Sequence, residues 1–483
     1  MNLSEALSYD NNLTCTENGA LTHKSTTNAL WDLFALGGAY RVRSDEDCLK
    51  LFKDAYEENP LYAIRCLFYL RDIRGGQGER RFFRICLKWL AERSMTPMEK
   101  IAMNKIIPLI PEYGRWDDLY VLFDTQFMPI VGLTICNQLI EDLNSDHPSL
   151  LAKWLKSENT SSVESRLLAR RTREHLNLSP AEYRRMLSLL RKKIRIVESQ
   201  MSDNQWNKID YGKLPSKAGF MYQNAFRRHD EERYDDFINS KNTTVNAATL
   251  YPYEVVEKAL DCRNDRNVVN KYWDNLTDYF KDKSLNAICV VDTSGSMCGT
   301  PMNVAISLGL YCAERNKGAF HNKFITFSSR PRLVEAKGLD FVDKVRNIEA
   351  MNICENTDIH AVFVHILATA VKYKVKPEDM PKSVIVISDM EFDQADVDFV
   401  ENDPVTQMER LEGTFARAGY ELPNLVFWNV DARQDNIPAL GSSKYTYISG
   451  FSAATFEMLM FGKTGYEFMM DTLNNNRYAQ IKL

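Results

Sequence analysis

The chain has no Cys-x-x-Cys pair among its 10 cysteines and no His-x3-His spacing among its 7 histidines, which removes zinc fingers and disulfide scaffolds from consideration. Scattered single thiols fit a reducing compartment better. Long apolar runs are missing too, since nothing approaches the ~18 uninterrupted apolar residues of a membrane span. The opening MNLSEALSYDNN has no basic segment followed by an apolar one, so we expect a cytoplasmic protein that neither is secreted nor crosses a membrane. An excess of one charge is also absent: 60 Lys and Arg face 65 Asp and Glu, for a net −5. That excludes a uniformly basic chain that coats nucleic acid, while leaving room for a local basic face. What remains is a 483-residue chain, 45% apolar and 26% charged, enough for two or three globular domains with real cores.

Two textures meet near Lys281. Between about residues 44 and 280, apolar side chains recur at three- and four-residue steps, broken by Pro, Gly and Asn, and this periodicity predicts packed helices. The expected helices are 45–56, 61–73, 79–91, 97–107, 116–123, 180–198 and 253–262, joined by short connections as in a HEAT-like helical-repeat array. From Leu285 onward, the apolar segments AICVVD, KFITFS, SVIVISD, NLVFWNVD and KYTYIS alternate with helical stretches. That alternation predicts a doubly wound parallel sheet. The fold class is therefore α + α/β, divided into an N-terminal extension (1–43), a helical domain (44–284) and a sheet domain (285–483). Within the latter, helix 301–316 should be buried, and helix 358–373 should bury Ile359, Val362, Phe363, Ile366, Leu367 and Ala370 while leaving His360 and His365 on the solvent side.

The sharpest chemical signal is AICVVDTSGSM. It ends a buried strand at Asp292 and places Ser294 and Ser296 on the following loop, so that carboxylate and hydroxyl oxygens can converge on a small hard cation such as Mg²⁺. Ligand groups in a doubly wound sheet gather at the carboxyl ends of strands, where Thr357 in ENTDIH and Asp389 at the end of SVIVISD supply more oxygens. The alternative is that Asp292 and the serines only cap the next helix, which leaves Asp389 without a role. No histidine lies near the serines and no G-x-S-x-G elbow is present, so nucleophilic chemistry is disfavoured. Cys298 is expected to be a small buried residue rather than a reactive thiol. With neither a nucleophile–base pair nor a cofactor fingerprint, the chain reads as a non-enzyme.

Charge is concentrated between residues 166 and 195, where Arg166, Arg170, Arg171, Arg173, Arg184, Arg185, Arg191, Lys192, Lys193 and Arg195 face only Glu174 and Glu182. Ser179, Pro180 and Glu182 form a capping-box start for helix 180–198. At ~100° per residue, Tyr183, Met186, Leu187, Leu190, Ile194 and Val197 share one face. Arg184, Arg191 and Arg195 line up beside it, with Arg185 and Lys192 on the next ridge. Such a ridge suits a phosphate backbone; a solvated face pairing with acids elsewhere is the plainer account of charge runs in general, but the clustering here, together with a family resemblance, favours the phosphate reading. The corner LRDIRGGQGERRFFR lacks the GK[ST] of a P-loop and reads as a tight interhelical turn whose basic residues could face the same ligand. Tyr222, Phe226 and Tyr234 could stack bases but are expected to pack in the core.

The D-x-S-x-S, Thr and Asp series resembles the metal-ion-dependent adhesion site of the von Willebrand factor A (vWA) domain over residues 285–483, with Asn356 where that family usually has Gly. The resemblance implies that Asp292, Ser294, Ser296, Thr357 and Asp389 bind Mg²⁺ or another divalent cation. The stretches TENGALTHKSTTNALWDLF, NPLYAIRCLFYLRDIRGGQGERRFF, YGRWDDLY, IDYGKLPSKAGFMYQNAFRRHDEERY and VVDTSGSM resemble the TROVE or Ro autoantigen family and a related family of vWA proteins. That resemblance implies a non-catalytic scaffold that binds small structured or misfolded RNA and hands it to a nuclease. Charge projection alone selects Arg170, Arg171, Arg173, Arg184, Arg185, Arg191, Lys192 and Arg195 as its RNA-binding residues. Two rivals are an adaptor of a MoxR-type AAA+ ATPase and a structural or virion-associated assembly protein that uses the metal site for protein contacts.

Overall fold

The computed structural model describes all residues except 1–2, 195, 282, 284, 327–329, 352–356, 395–405 and 461. It contains an N-terminal helical array and a C-terminal, mainly parallel sheet. Local signals set the first helices. Ser44 caps Asp45–Glu58 by accepting from Asp47 N, and three acids in the first turn favour its positive end. Asn59 caps Pro60–Arg71, which starts on proline, and Arg80–Glu92 follows. These three pack on one another through Cys48, Phe52, Phe68 and Phe83. Segment 116–123 forms a 3₁₀ helix, Trp116–Leu122, rather than an α-helix. There Asp118 is fully buried and accepts from Arg115 N and from the side chains of Arg71 and Arg84, so tertiary ion pairing shapes the backbone. Helix 180–198 is interrupted, with Pro180–Ile194 followed by Val197–Ser202. Met128–Asn144, Val163–His175 and Arg266–Asp274 are further helices that the periodicity does not single out.

The glycine-rich corner is a tight turn. A side chain at Gly76 would meet the Tyr69 carbonyl oxygen at 1.9 Å, and Gly78 has φ +68° with the Tyr251 hydroxyl 1.8 Å from where a Cβ would lie. Only glycine permits both the approach and the dihedral.

Two strands, β1 (Leu13–Cys15) and β2 (Leu21–His23), form an antiparallel hairpin absent from the sequence reading. The main sheet comprises β3 (Ala287–Val291), β4 (Lys323–Thr326), β5 (Arg332–Glu335), β6 (Ser383–Ser388), β7 (Asn424–Asn429) and β8 (Tyr445–Ser449), in the order β5-β4-β3-β6-β7-β8. All pairings are parallel except that of the edge strand β5 with β4. The central strands are apolar throughout because both faces are covered. Helix Thr300–Arg315 lies buried on β3, β4 and β6, and Ala29–Leu36 packs on β8. Helix Ile359–Tyr373 buries the expected stripe, with Ile366 partly covered. His365 is exposed as expected, whereas His360 is half-buried, and burial lowers its pKa. Among the described residues, no helix is long and apolar enough to cross a membrane.

Both chain ends tie the halves together. The hairpin bonds to the sheet side through His23 and Ile437, which exchange backbone hydrogen bonds of 3.0 and 2.9 Å, and the buried His23 ring meets Glu409 at 3.0 Å. At the other end, Asp72 is fully buried on the helical side. Its carboxylate accepts from Arg477 Nη2 at 2.7 Å and from the Tyr478 hydroxyl at 3.0 Å. Removing one partner of a buried ion pair strands the other. Asp72→Ala should therefore lower the unfolding free energy by about 3 kcal/mol, read as a drop in denaturant midpoint at unchanged slope. A loss under ~1 kcal/mol would show that the C-terminal segment contributes little.

Candidate functional site

Register brings the predicted oxygens together. Val291 of β3 lies opposite Ile387 of β6, and Ser388 lies opposite Asn429 of β7. Asp292 and Asp389, just past the ends of neighbouring parallel strands, therefore emerge side by side, and the loop after β7 delivers Arg433 next to them. The chain turns towards β4 on one side of β3 and towards β6 on the other, so the pair sits at the topological switch point where such sheets bind ligands.

Asp292 and Asp389 are almost wholly buried, at 0% and 1% exposure. Asp292 Oδ1 accepts from Ser294 N at 2.9 Å, and Oδ2 accepts from the Ser388 hydroxyl at 2.5 Å. That hydroxyl also lies 3.5 Å from Asp389 Oδ1, so one hydroxyl spans both acids. Burial, and then the charge of Asp389, push the Asp292 pKa up to about 6. Asp389 Oδ1 accepts from Glu391 N at 3.1 Å, and Oδ2 receives Arg433 Nη2 at 2.8 Å. Between these two, Met390 adopts a left-handed φ of +65° while buried, a conformation costly for a non-glycine residue and typical of functional loops. Ser294 Oγ and Ser296 Oγ are 3.0 Å apart. Thr357 is buried. Its N–H donates to Asp393 Oδ2 at 2.7 Å and its hydroxyl to Asp393 Oδ1 at 3.2 Å, which joins its loop to the one that follows Asp389. Asn356, the departure from the vWA pattern, lies outside the described residues.

The capping alternative does not hold. Helix Thr300–Arg315 is preceded by Gly299 without any side-chain cap, and the 3₁₀ turn Gly295–Met297 has none either. Cys298 is exposed rather than buried, because it follows that turn on the outside of the loop. Among the described residues, no three His, Cys, Asp or Glu side chains cluster as metal ligands, so a cation here must draw on hydroxyls. The donor set fits a hard divalent ion: two buried carboxylates and nearby hydroxyls, all oxygen. Glu391 adds a fully buried carboxylate in the same loop whose Oε1 has no hydrogen-bond partner among the described residues.

Sequence reasoning missed Glu17, Asn18, Glu391 and Arg433. Glu17 N donates to Glu391 Oε2 at 2.7 Å, and Asn18 Nδ2 donates to the Glu391 carbonyl at 2.7 Å and to Thr357 Oγ1 at 3.3 Å. Arg433 Nη1 reaches Glu17 Oε2 at 3.1 Å. The one available sequence signal was the acid and amide in TENGALTH, but nothing in the sequence joins them to a loop more than 370 positions away.

The basic stretch divides. Arg191 is not a free ridge residue. Its guanidinium donates to the Ala152 and Leu155 carbonyls and to Ser157 Oγ at 2.8–2.9 Å, closing the end of helix Leu151–Trp154. Arg173 is likewise withdrawn, paired with Glu158 at 2.8 Å, and Arg171 pairs with Asp124. Lys193 donates to the Leu143 and Ser145 carbonyls, and Arg195 lies outside the described residues. Arg170, Arg184, Arg185 and Lys192 are exposed and make no ion pair among the described residues. At the glycine-rich corner, Arg71 and Arg84 bind Asp118, Arg81 binds Asp45, and Arg74 donates to the Glu112 carbonyl. Those side chains hold the fold and do not converge on a ligand. Phe226 and Tyr234 are core residues, and Tyr222 is partly buried against the core.

A family model described as a domain of unknown function, DUF7788, matches residues 286–479. A second, DUF2828, matches residues 16–102 and 138–285. The chain is 29% identical over 493 aligned positions to an uncharacterised protein of Acanthamoeba polyphaga mimivirus, covering 93% of this chain and 85% of that protein. Among solved structures, the Ro (RSR) protein of Deinococcus radiodurans is similar at 13% identity and a TM-score of 0.46, covering 93% of this chain and 99% of that one.

The buried acids give the site a pH signature. With its pKa raised in the folded chain, Asp292 contributes most to stability below its unfolded value, and that contribution is lost as pH rises through about 6. A divalent cation favours the ionised form. If Mg²⁺ is held here, the rise in melting temperature it causes should be small near pH 5 and grow towards about pH 7.5. Asp292→Ala should abolish it at every pH, and an unchanged Mg²⁺ affinity in that variant would show that the ion binds elsewhere.

Proposed function

We propose that this chain is a non-catalytic RNA-binding scaffold with a helical-repeat domain over about residues 44–284 and a vWA domain over 285–483, the latter holding Mg²⁺ or another divalent cation. The observation that carries the RNA reading is the set Arg170, Arg184, Arg185 and Lys192, exposed and without an ion pair among the described residues, on the consecutive helices Val163–His175 and Pro180–Ile194. On the second helix, Arg184, Arg185 and Lys192 fall within one ~100° solvent face, opposite buried Tyr183, Leu187 and Leu190. Elsewhere in the helical region, arginines with acids in reach are neutralised internally. A row of exposed cations that make no ion pair among the described residues, in a chain of net charge −5, suits an external polyanion, with each neutralised phosphate releasing counterions. The resemblance of the quoted helical and VVDTSGSM stretches to the Ro family supports the same reading, including transfer of bound RNA to a nuclease.

In this reading the cation site binds and does not catalyse. Asp292, Ser294, Ser296, Thr357 and Asp389 would hold the ion, which would offer a partner's carboxylate or phosphate oxygen a point of attachment. The buried acid pair also favours a second reading, an adaptor that grips an acidic group of a partner such as an AAA+ ATPase. That reading expects a Mg²⁺-dependent protein complex free of RNA.

The test is RNA binding as a function of salt. Reversing Arg184, Arg185 and Lys192 to Glu should weaken binding and flatten the slope of log K against log salt by about 2–3 units, as measured by fluorescence anisotropy. Arg191→Ala should instead lower the melting temperature, because its donors close a helix end. Equal RNA affinity in the triple variant and the parent would move the RNA surface away from these helices.

A further inference from the structure

We infer that the N-terminal hairpin is a fourth element of the cation site, and that Glu17 and Arg433 form a built-in counter-charge that sets how tightly the site holds a divalent ion. This inference rests on the cation reading of Asp292 and Asp389.

Contacts from four consecutive residues seat the turn between β1 and β2 on the two loops that carry Thr357 and Asp389. The Thr16 hydroxyl donates to the Phe392 carbonyl at 2.6 Å, Glu17 N donates to Glu391 Oε2, Asn18 Nδ2 donates to the Glu391 carbonyl and Thr357 Oγ1, and Gly19 pairs with Asp393 as an antiparallel bridge. The same hydrogen bond that holds Asn18 in place therefore orients a hydroxyl expected to face the ion.

Arg433 lies between two carboxylates. One end of its guanidinium meets Asp389 at 2.8 Å and the other meets Glu17 at 3.1 Å. Asp389 is fully buried on its side chain, whereas that of Glu17 is 41% exposed. The arginine thus already neutralises one of the two acids on which a divalent ion would depend. An incoming ion and Arg433 compete for the charge of Asp389, and Glu17 is the group that takes over the arginine when the ion prevails. Arg433 is not locked in place on its other side, since it also lines a groove of about 1050 Å³ shared with Thr14, Lys24, Arg43 and Asp435. Glu17 therefore favours ion binding by drawing Arg433 away from Asp389, and Arg433 opposes it. Both are positioning residues rather than ligands.

The full-length chain is titrated calorimetrically with Mn²⁺ alone and with Mg²⁺ alone, in the parent and in Asp292→Ala, Glu17→Gln, Arg433→Gln and the Glu17→Gln/Arg433→Gln double variant. Arg433→Gln should bind about tenfold more tightly than the parent, and Glu17→Gln several-fold more weakly. In the Arg433→Gln background, the Glu17 substitution should have less than about a third of its effect in the parent on a logarithmic scale. If Arg433→Gln does not fold, as judged by its melting curve, Arg433→Lys replaces it. The lysine keeps the charge but cannot span both carboxylates, so its affinity should differ from the parent's and lose its dependence on Glu17. Unchanged or weaker binding in Arg433→Gln, or a Glu17 effect of equal size in both backgrounds, would overturn the inference while leaving the cation site standing. Binding lost in the parent, or retained in Asp292→Ala, would overturn the cation reading and this inference with it.

Discussion

Two carboxylates buried beside each other at the ends of neighbouring parallel strands impose a constraint that the surrounding structure is arranged to meet. Like charges in a low-dielectric setting repel, and each must be paired, protonated or bound to a cation. The register of β3 against β6 makes the neighbourhood of Asp292 and Asp389 unavoidable. One hydroxyl, that of Ser388, is shared between them, and one guanidinium, that of Arg433, reaches the second. The loop that continues from Asp389 accepts a left-handed methionine and buries another acid, Glu391. These are costs that a purely structural sheet end would avoid, and the proposal of a divalent ion at this place rests on them.

The N-terminal segment links that constraint to the rest of the chain. Its hairpin sits on the acid-bearing loops, its helix Ala29–Leu36 covers β8, and the C-terminal residues return to Asp72 in the helical array. The two halves are thus interlocked through both chain ends. A change in how the hairpin sits would reach the proposed cation site directly, through Glu17 and Asn18. The basic helices lie elsewhere, and their charges divide into two groups with different roles. Arg191 and Arg173 have acceptors within the fold and act as braces. Arg170, Arg184, Arg185 and Lys192 have none among the described residues and face solvent. Counting charge along the sequence cannot separate these groups, because a guanidinium that closes a helix end and one that meets a phosphate have the same composition.

The sequence alone determined the class of the fold and the kernel of the site. A 3.6-residue apolar period followed by short β-branched runs is a local signal, and it located a minority of the helices, the named ones apart from 116–123, and all five strands buried on both faces within a few residues. Asp292, Ser294 and Ser296 were legible because their spacing is local, and Asp389 because it ends an apolar strand. Tertiary structure decided the rest. Segment 116–123 became 3₁₀ because Arg71 and Arg84 converge on Asp118 from other helices while the local Arg115 N–H caps the same carboxylate. The hairpin escaped notice because strands of three residues carry too little periodicity, and the antiparallel β5 because, at the sheet edge, it buries only Val334. Glu17 and Arg433 belong to the site only because strand order β3-β6-β7 places the ends of three strands together and the hairpin folds back over them. Contacts between positions nearly four hundred residues apart depend on topology, and no pattern within a short window of sequence encodes them.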